Sequence, residues 1–184
     1  MTARHLILVL LVVALVAAGL VAPASPASAA YCGINWGSTP EAHRGASAGW
    51  VTQVRSGRHA CYDRVVMNIA DGAGLDWYDV RYVDEVRADG SGAVVPTRGG
   101  ASLQVVVFAT NRDNHDVFPN ATVNPNELTN VSGYRTLRQI VWAGEFEGMS
   151  TVGIGTRARL PFRVFILPGP ENDVRLVVDI AHAW

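Results

Sequence analysis

Tyr62-Asp63-Arg64-Val65-Val66-Met67-Asn68-Ile69-Ala70 alternates in character, with Val65, Met67 and Ile69 on one side and Arg64, Val66 and Asn68 on the other. Successive side chains of an extended strand point to opposite faces, so this period of two predicts a strand with one buried face. The pattern repeats in both directions along the chain. Trp77 to Val86 sets Tyr78, Val80 and Tyr82 against Asp79, Arg81 and Val83. Leu103, Val105 and Val107 give another inner face, and Phe162, Val164 and Ile166 a later one. Val174, Leu176, Val178 and Ile180 are opposed by Arg175, Val177 and Asp179. Turn-forming residues separate the runs at Asp71-Gly72-Ala73-Gly74, Asp89-Gly90-Ser91-Gly92, Gly99-Gly100 and Pro168-Gly169-Pro170. Many short strands punctuated in this way predict an all-β fold, an antiparallel β-sandwich or partly open barrel in a single domain. Tyr134 to Trp142 fits either a short helical turn, through Leu137, Ile140 and Val141, or a strand. The polar, Asn-rich stretch Thr110 to Gly133 is long for a hairpin loop and is the expected place for a functional or mobile insertion.

The N-terminus carries a different signal. Arg4 precedes an almost unbroken apolar run from Leu6 to Val21, followed by Pro23, Pro26 and Ala27-Ser28-Ala29. A basic start, an apolar stretch and a small-residue end are the features of a secretory signal, with cleavage expected before Ala30. A retained anchor needs about 20 apolar residues, and this run is shorter. Lipidation at Cys32 is disfavoured because the residue before it is Tyr31 rather than a small one. The expected organisation is a signal peptide over 1–29, an N-terminal arm over 30–48 that is Gly-, Ser- and Ala-rich without sustained apolar period, and a β-domain over 49–184. The location expected is secreted, extracellular or wall-associated, with no membrane contact after cleavage.

Cys32 and Cys61 are the two cysteines of the chain. In an exported protein such a pair reads as one disulfide, closing a loop of about 30 residues and contributing about 3 to 4 kcal/mol. Without the leader, 14 basic side chains face 16 acidic ones. A near-neutral balance argues against an overall attraction to nucleic acid. Every basic residue of the Lys/Arg class is Arg. The simpler explanation of that bias is the codon usage of a GC-rich genome; the sharper one is that planar guanidinium groups serve carboxylate or phosphate recognition.

The catalytic patterns lack their structural context. Gly45-Ala46-Ser47-Ala48-Gly49 matches a nucleophile elbow, and Asp179 and His182 follow in hydrolase order. The elbow needs a strand before it and a helix after it, and neither is expected here. Asn111-Arg112-Asp113-Asn114-His115-Asp116 looks like a calcium loop but has Asp116 and Thr122 where such a loop needs Gly and Glu. Glu145 and Glu147 sit at i and i+2, which on an extended segment point the same way, as in a glycosidase-like carboxylate pair; two solvated acids at a turn are the simpler reading. His43, His59, His115 and His182 show no ligand spacing, so no metal and no cofactor is expected. The Asn120-Ala121-Thr122 and Asn130-Val131-Ser132 sequons matter only in a host that glycosylates asparagine.

Six motifs carry a family resemblance: Tyr62-Asp63-Arg64-Val65-Val66, Val80-Arg81-Tyr82-Val83, Gly144-Glu145-Phe146-Glu147-Gly148, Val152-Gly153-Ile154-Gly155, Pro161-Phe162-Arg163-Val164 and Arg175-Leu176-Val177-Val178-Asp179. In this order they resemble the AMIN-like domain of secreted proteins from high-GC Gram-positive bacteria, over about Gly49 to His182. That family is named for its similarity to the AMIN module, a β-sandwich found beside cell-wall amidase domains that targets its partner to peptidoglycan or the envelope. The resemblance implies a binding or localisation module and transfers no catalytic residue.

The expected function is therefore a secreted non-enzymatic envelope domain that binds peptidoglycan, another wall polymer or an envelope protein. The alternative from a different class is a small secreted hydrolase acting on wall material through carboxylates or Ser47. Arg64, Arg81, Arg163 and Arg175 all fall on the non-core parity of their strands and so project from sheet faces. They either pair with Asp79, Asp179 and similar neighbours across strands or, with Tyr62 or Trp77, form a platform for carboxylates or phosphates.

Overall fold

The computed structural model describes residues 29–111 and 124–184. The expected signal segment, apart from Ala29, and most of the calcium-like loop lie outside the described residues. Among the described residues there are twelve strands: β1 (Ala29–Tyr31), β2 (Ile34–Trp36), β3 (Glu41–His43), β4 (Trp50–Arg58), β5 (Tyr62–Ala70), β6 (Tyr78–Val83), β7 (Ala101–Val107), β8 (Thr110–Asn111), β9 (Leu137–Phe146), β10 (Met149–Thr156), β11 (Phe162–Pro168) and β12 (Val174–Ala181). They form two five-stranded sheets and a small β1-β2 hairpin. Sheet one has the order β3-β6-β7-β10-β9, and sheet two the order β11-β12-β5-β4-β8. The fold is all-β, a single-domain sandwich.

The predicted inner faces meet in one core. Val65, Met67 and Ile69 of β5 and Leu176, Val178 and Ile180 of β12 come from sheet two, opposite Val80 of β6, Leu103, Val105 and Val107 of β7 and Ile154 of β10 from sheet one. Removing these side chains from water is the main favourable term of folding, about 1.5 to 3 kcal/mol for each fully buried aliphatic side chain. Ile69, Val80, Leu103, Ile154, Leu176 and Ile180 have essentially no exposed surface.

One open point of the sequence reading is settled, and three features depart from it. The ambiguous segment ends in strand β9, because its β-branched end pairs with β10 across Leu137 to Phe146. Nearly every neighbouring pair is antiparallel, but β4 and β8 run parallel, with Trp50 beside Thr110 and Val51 beside Asn111. The stretch 30–48, expected as an arm without period, carries β2 and β3; Trp36 is buried and β3 adds to the edge of sheet one beside β6. The long polar segment is packed in its described second half. Leu128 and Val131 are buried there, Leu128 N–H donates to Ile140 O, and Pro125 O accepts from Trp142 N–H, so the segment covers the outer edge of β9.

Candidate functional site

Strand register sorts the outer face of sheet two into three rows. Gly57, Arg64, Asp179 and Arg163 stand side by side on β4, β5, β12 and β11. The next row is Arg55, Val66, Val177 and Phe165, and the third is Gln53, Asn68, Arg175 and Leu167. A bulge in β4 between Val51 and Gln53 shifts the parity of that strand, so Val51 and Val54 both face the core while Arg55 faces outward.

Asp179 anchors the first row. Its side chain has no exposed surface, and it accepts two bonds from Arg64, Nε to Oδ1 at 2.6 Å and Nη2 to Oδ2 at 2.9 Å. Arg163 donates from Nε and Nη2 to the same Oδ2 at 2.9 and 2.7 Å. Such charge-assisted, two-pronged bonds are the strong kind, and hydrogen bonding to Asp179 holds the Arg64 guanidinium above its ordinary pKa. Aromatic rings complete the cluster. The Arg163 guanidinium lies 5.2 Å from the Phe165 ring centre, 5.4 Å from Trp36 and 5.5 Å from Tyr62. That of Arg64 lies 5.3 Å from Tyr62, and His59 stacks on Tyr62 at 4.5 Å. These are cation–π distances.

Arg55 and Arg175 are held differently. Arg175 donates from Nη2 to Pro168 O at 2.5 Å, while its buried Nε has no partner. Arg55 is exposed and reaches Asn68 Oδ1 at 3.4 Å. Neither has a carboxylate partner among the described residues. This face therefore carries four arginines and, in its three rows, one aspartate.

Of the six candidate binding residues, Arg64, Arg163, Arg175 and Tyr62 come together on this face. Arg81 and Trp77 do not, since they belong to the β6 side of sheet one. Arg81 Nη1 and Arg44 Nη2 both donate to Asp79 Oδ2, at 3.1 and 2.8 Å. Arg44 also lies over Trp77 at 4.4 Å. Sequence reasoning missed Arg55, His59, Trp36 and Phe165. The parity of Phe165, opposite to that of Val164 and Ile166, was a usable signal; the bulge hid that of Arg55.

The hydrolase candidates are dispersed. Ser47 is exposed in a segment with no regular structure, and Asp179 is engaged by two arginines. The carboxylate beside His182 is Asp63 instead: the pair is buried, with Nε2 3.1 Å from Oδ1. Asp63 Oδ2 also accepts the Thr136 and Leu137 N–H groups at 2.6 and 3.1 Å, so this carboxylate ties β5 to the start of β9. Glu147 sits at positive φ in the β9–β10 turn, and Glu145 accepts from Gly148 N–H at 2.9 Å. Among the described residues no group of three His, Cys, Asp or Glu side chains is placed to hold a metal ion.

The chain is a β-sandwich with an arginine- and ring-bearing sheet face. The family model described as AMIN-like domain matches residues 49–182, and the chain belongs to that family. The family is one of cell-wall-associated, typically non-catalytic modules. No curated protein and no solved structure matches the chain.

Proposed function

We propose that this protein is a secreted, non-enzymatic domain that binds the cell envelope, through peptidoglycan, another wall polymer or an envelope protein, with the outer face of sheet two as its binding surface. The observation that carries this reading is the charge of that face: Arg55, Arg64, Arg163 and Arg175 against Asp179 alone in the three rows. Guanidinium forks suit carboxylates and phosphates, the anionic groups from which wall polymers are built. Family membership supports a wall-associated role. The Cys32–Cys61 disulfide fits an oxidising, extracellular location.

Co-sedimentation of the mature protein with purified wall from the source organism tests this. The protein is expected to pellet with wall and to be released by rising salt. Arg175→Gln should reduce the pelleted fraction, whereas Arg81→Gln, on the other sheet, should leave it unchanged. Failure of the parent to pellet at low salt overturns the reading.

A further inference from the structure

Two cavities open on the outer face of sheet two, and both are walled by Arg55 and Arg175. One, of about 230 Å³, runs over Val66 and Val177 toward His59 and Arg64. The other, of about 520 Å³, lies between Thr52, Asn68, the Pro168-Gly169-Pro170 turn and Asp173, whose carboxylate accepts the Asp71 N–H at 3.1 Å. The two arginines therefore stand at the junction of a groove that continues on both sides of them. Among the described residues they are also the arginines of this face without a carboxylate, and Arg175 Nε is buried without a partner. A buried donor without an acceptor is one that an ordered water or an ion commonly satisfies, and the outer Nη groups of Arg175 are the ones the groove presents.

The groove's shape selects among anions. A terminal carboxylate ends its chain and needs a groove on one side only, whereas an anion inside a chain needs room on both. A phosphodiester is such an internal anion. Nucleic acid would ask for exposed rings on which bases stack. Here the Tyr62 and Phe165 rings lie against the Arg64 and Arg163 guanidiniums, and the floor is Val66 and Val177.

The geometry points to this groove as a binding site for a linear, phosphodiester-linked polyol polymer of the wall, gripped at one phosphate by Arg55 and Arg175. The assignment rests on the envelope-binding reading for the source of the ligand, not for the chemistry of the site. Calorimetric titration of the mature protein with synthetic poly(glycerol phosphate) tests it. Binding is expected to weaken with salt, and Arg55→Gln with Arg175→Gln to weaken it at least about tenfold. Because Arg55 is exposed and weakly bonded, Arg55→Gln alone keeps the fold and should still show a loss. Absence of binding, or equal binding by the double variant, overturns the inference even where wall still pellets the protein. An oligothymidylate of equal charge that binds as tightly overturns the choice of polymer. Wall stripped of phosphodiesters by cold hydrofluoric acid should lose the protein; undiminished binding overturns the inference while the envelope-binding reading stands. Polymer binding without any wall binding supports the groove and removes the envelope reading.

Discussion

Asp179 is a carboxylate with no exposed surface, gripped by two guanidiniums whose side chains are 23% and 33% exposed. Replacing it by Asn keeps the shape and removes the charge, leaving Arg64 and Arg163 side by side with no anion. Breaking a buried ion pair from one side costs about 3 to 5 kcal/mol, and the partial solvation of both arginine heads lowers the expected loss to about 2 to 3 kcal/mol. Urea denaturation of Asp179→Asn measures this, and an unchanged midpoint would mean that both arginines simply turn to water. The outward parity of Arg64, Arg163 and Arg175 is legible in the residues alone, because alternation fixes which face a strand residue takes. That one aspartate serves two of them is not. Arg64 and Asp179 are 115 residues apart, and only the register of three strands brings them level, a property set by the whole core rather than by any local pattern.

The strands that carry the core are legible for the same reason: Val65 to Ile69 and Leu176 to Ile180 alternate over enough residues to outvote their neighbours. Short edge strands are not, and β3 is the instructive case. Three residues, Glu41-Ala42-His43, offer no period, yet they pair with β6 while Glu41 reaches across to accept the Val164 N–H of β11 at 3.0 Å. One side chain thus links an edge of sheet one to an edge of sheet two and occupies a donor that an open strand edge would otherwise present. Burial raises the Glu41 pKa above its ordinary 4.5, outweighing the Val164 bond that lowers it. The folded state therefore holds this proton more tightly than the unfolded chain does. The associated stability is complete below the ordinary value and is lost as pH rises through the raised one. Glu41→Gln cannot ionise and its side-chain oxygen still accepts the Val164 N–H, so the variant should gain on the parent as pH climbs from about 4 toward neutrality, in the range of carboxylate titration. Thermal midpoints of both proteins across that range decide it. A variant that loses ground at neutral pH would show that the charged carboxylate is the better acceptor here.

At the scale of the whole molecule, the N-terminal segment and the sandwich are joined by the Cys32–Cys61 disulfide, with a separation of 29 residues. The pair was legible from the cysteine count and the compartment expected from the leader, but what it fastens was not. Cys61 lies in the β4–β5 turn, next to Tyr62, and Cys32 lies in the turn of the β1-β2 hairpin. The hairpin delivers Trp36, whose ring centre is 5.9 Å from that of Tyr62 and which lies under Arg163. The bridge consequently holds one wall of the arginine cluster as well as the chain. Other ties act in parallel: Trp36 Nε1–H donates to Tyr31 O at 2.9 Å, and Gly37 O accepts from Phe162 N–H at 2.7 Å. Removing both cysteines as Cys32→Ala with Cys61→Ala frees the loop in the unfolded chain, for which chain entropy gives a loss of about 3 to 4 kcal/mol. Urea unfolding followed by tryptophan fluorescence should show that loss as one transition at a lower midpoint, with Trp36 reporting together with the core. A separate early change in fluorescence would mean that the hairpin leaves first, and that Trp36 and Gly37 hold it only while the bridge is closed. A loss below about 1 kcal/mol would mean instead that the unfolded chain without the bridge already keeps the ends of this loop close.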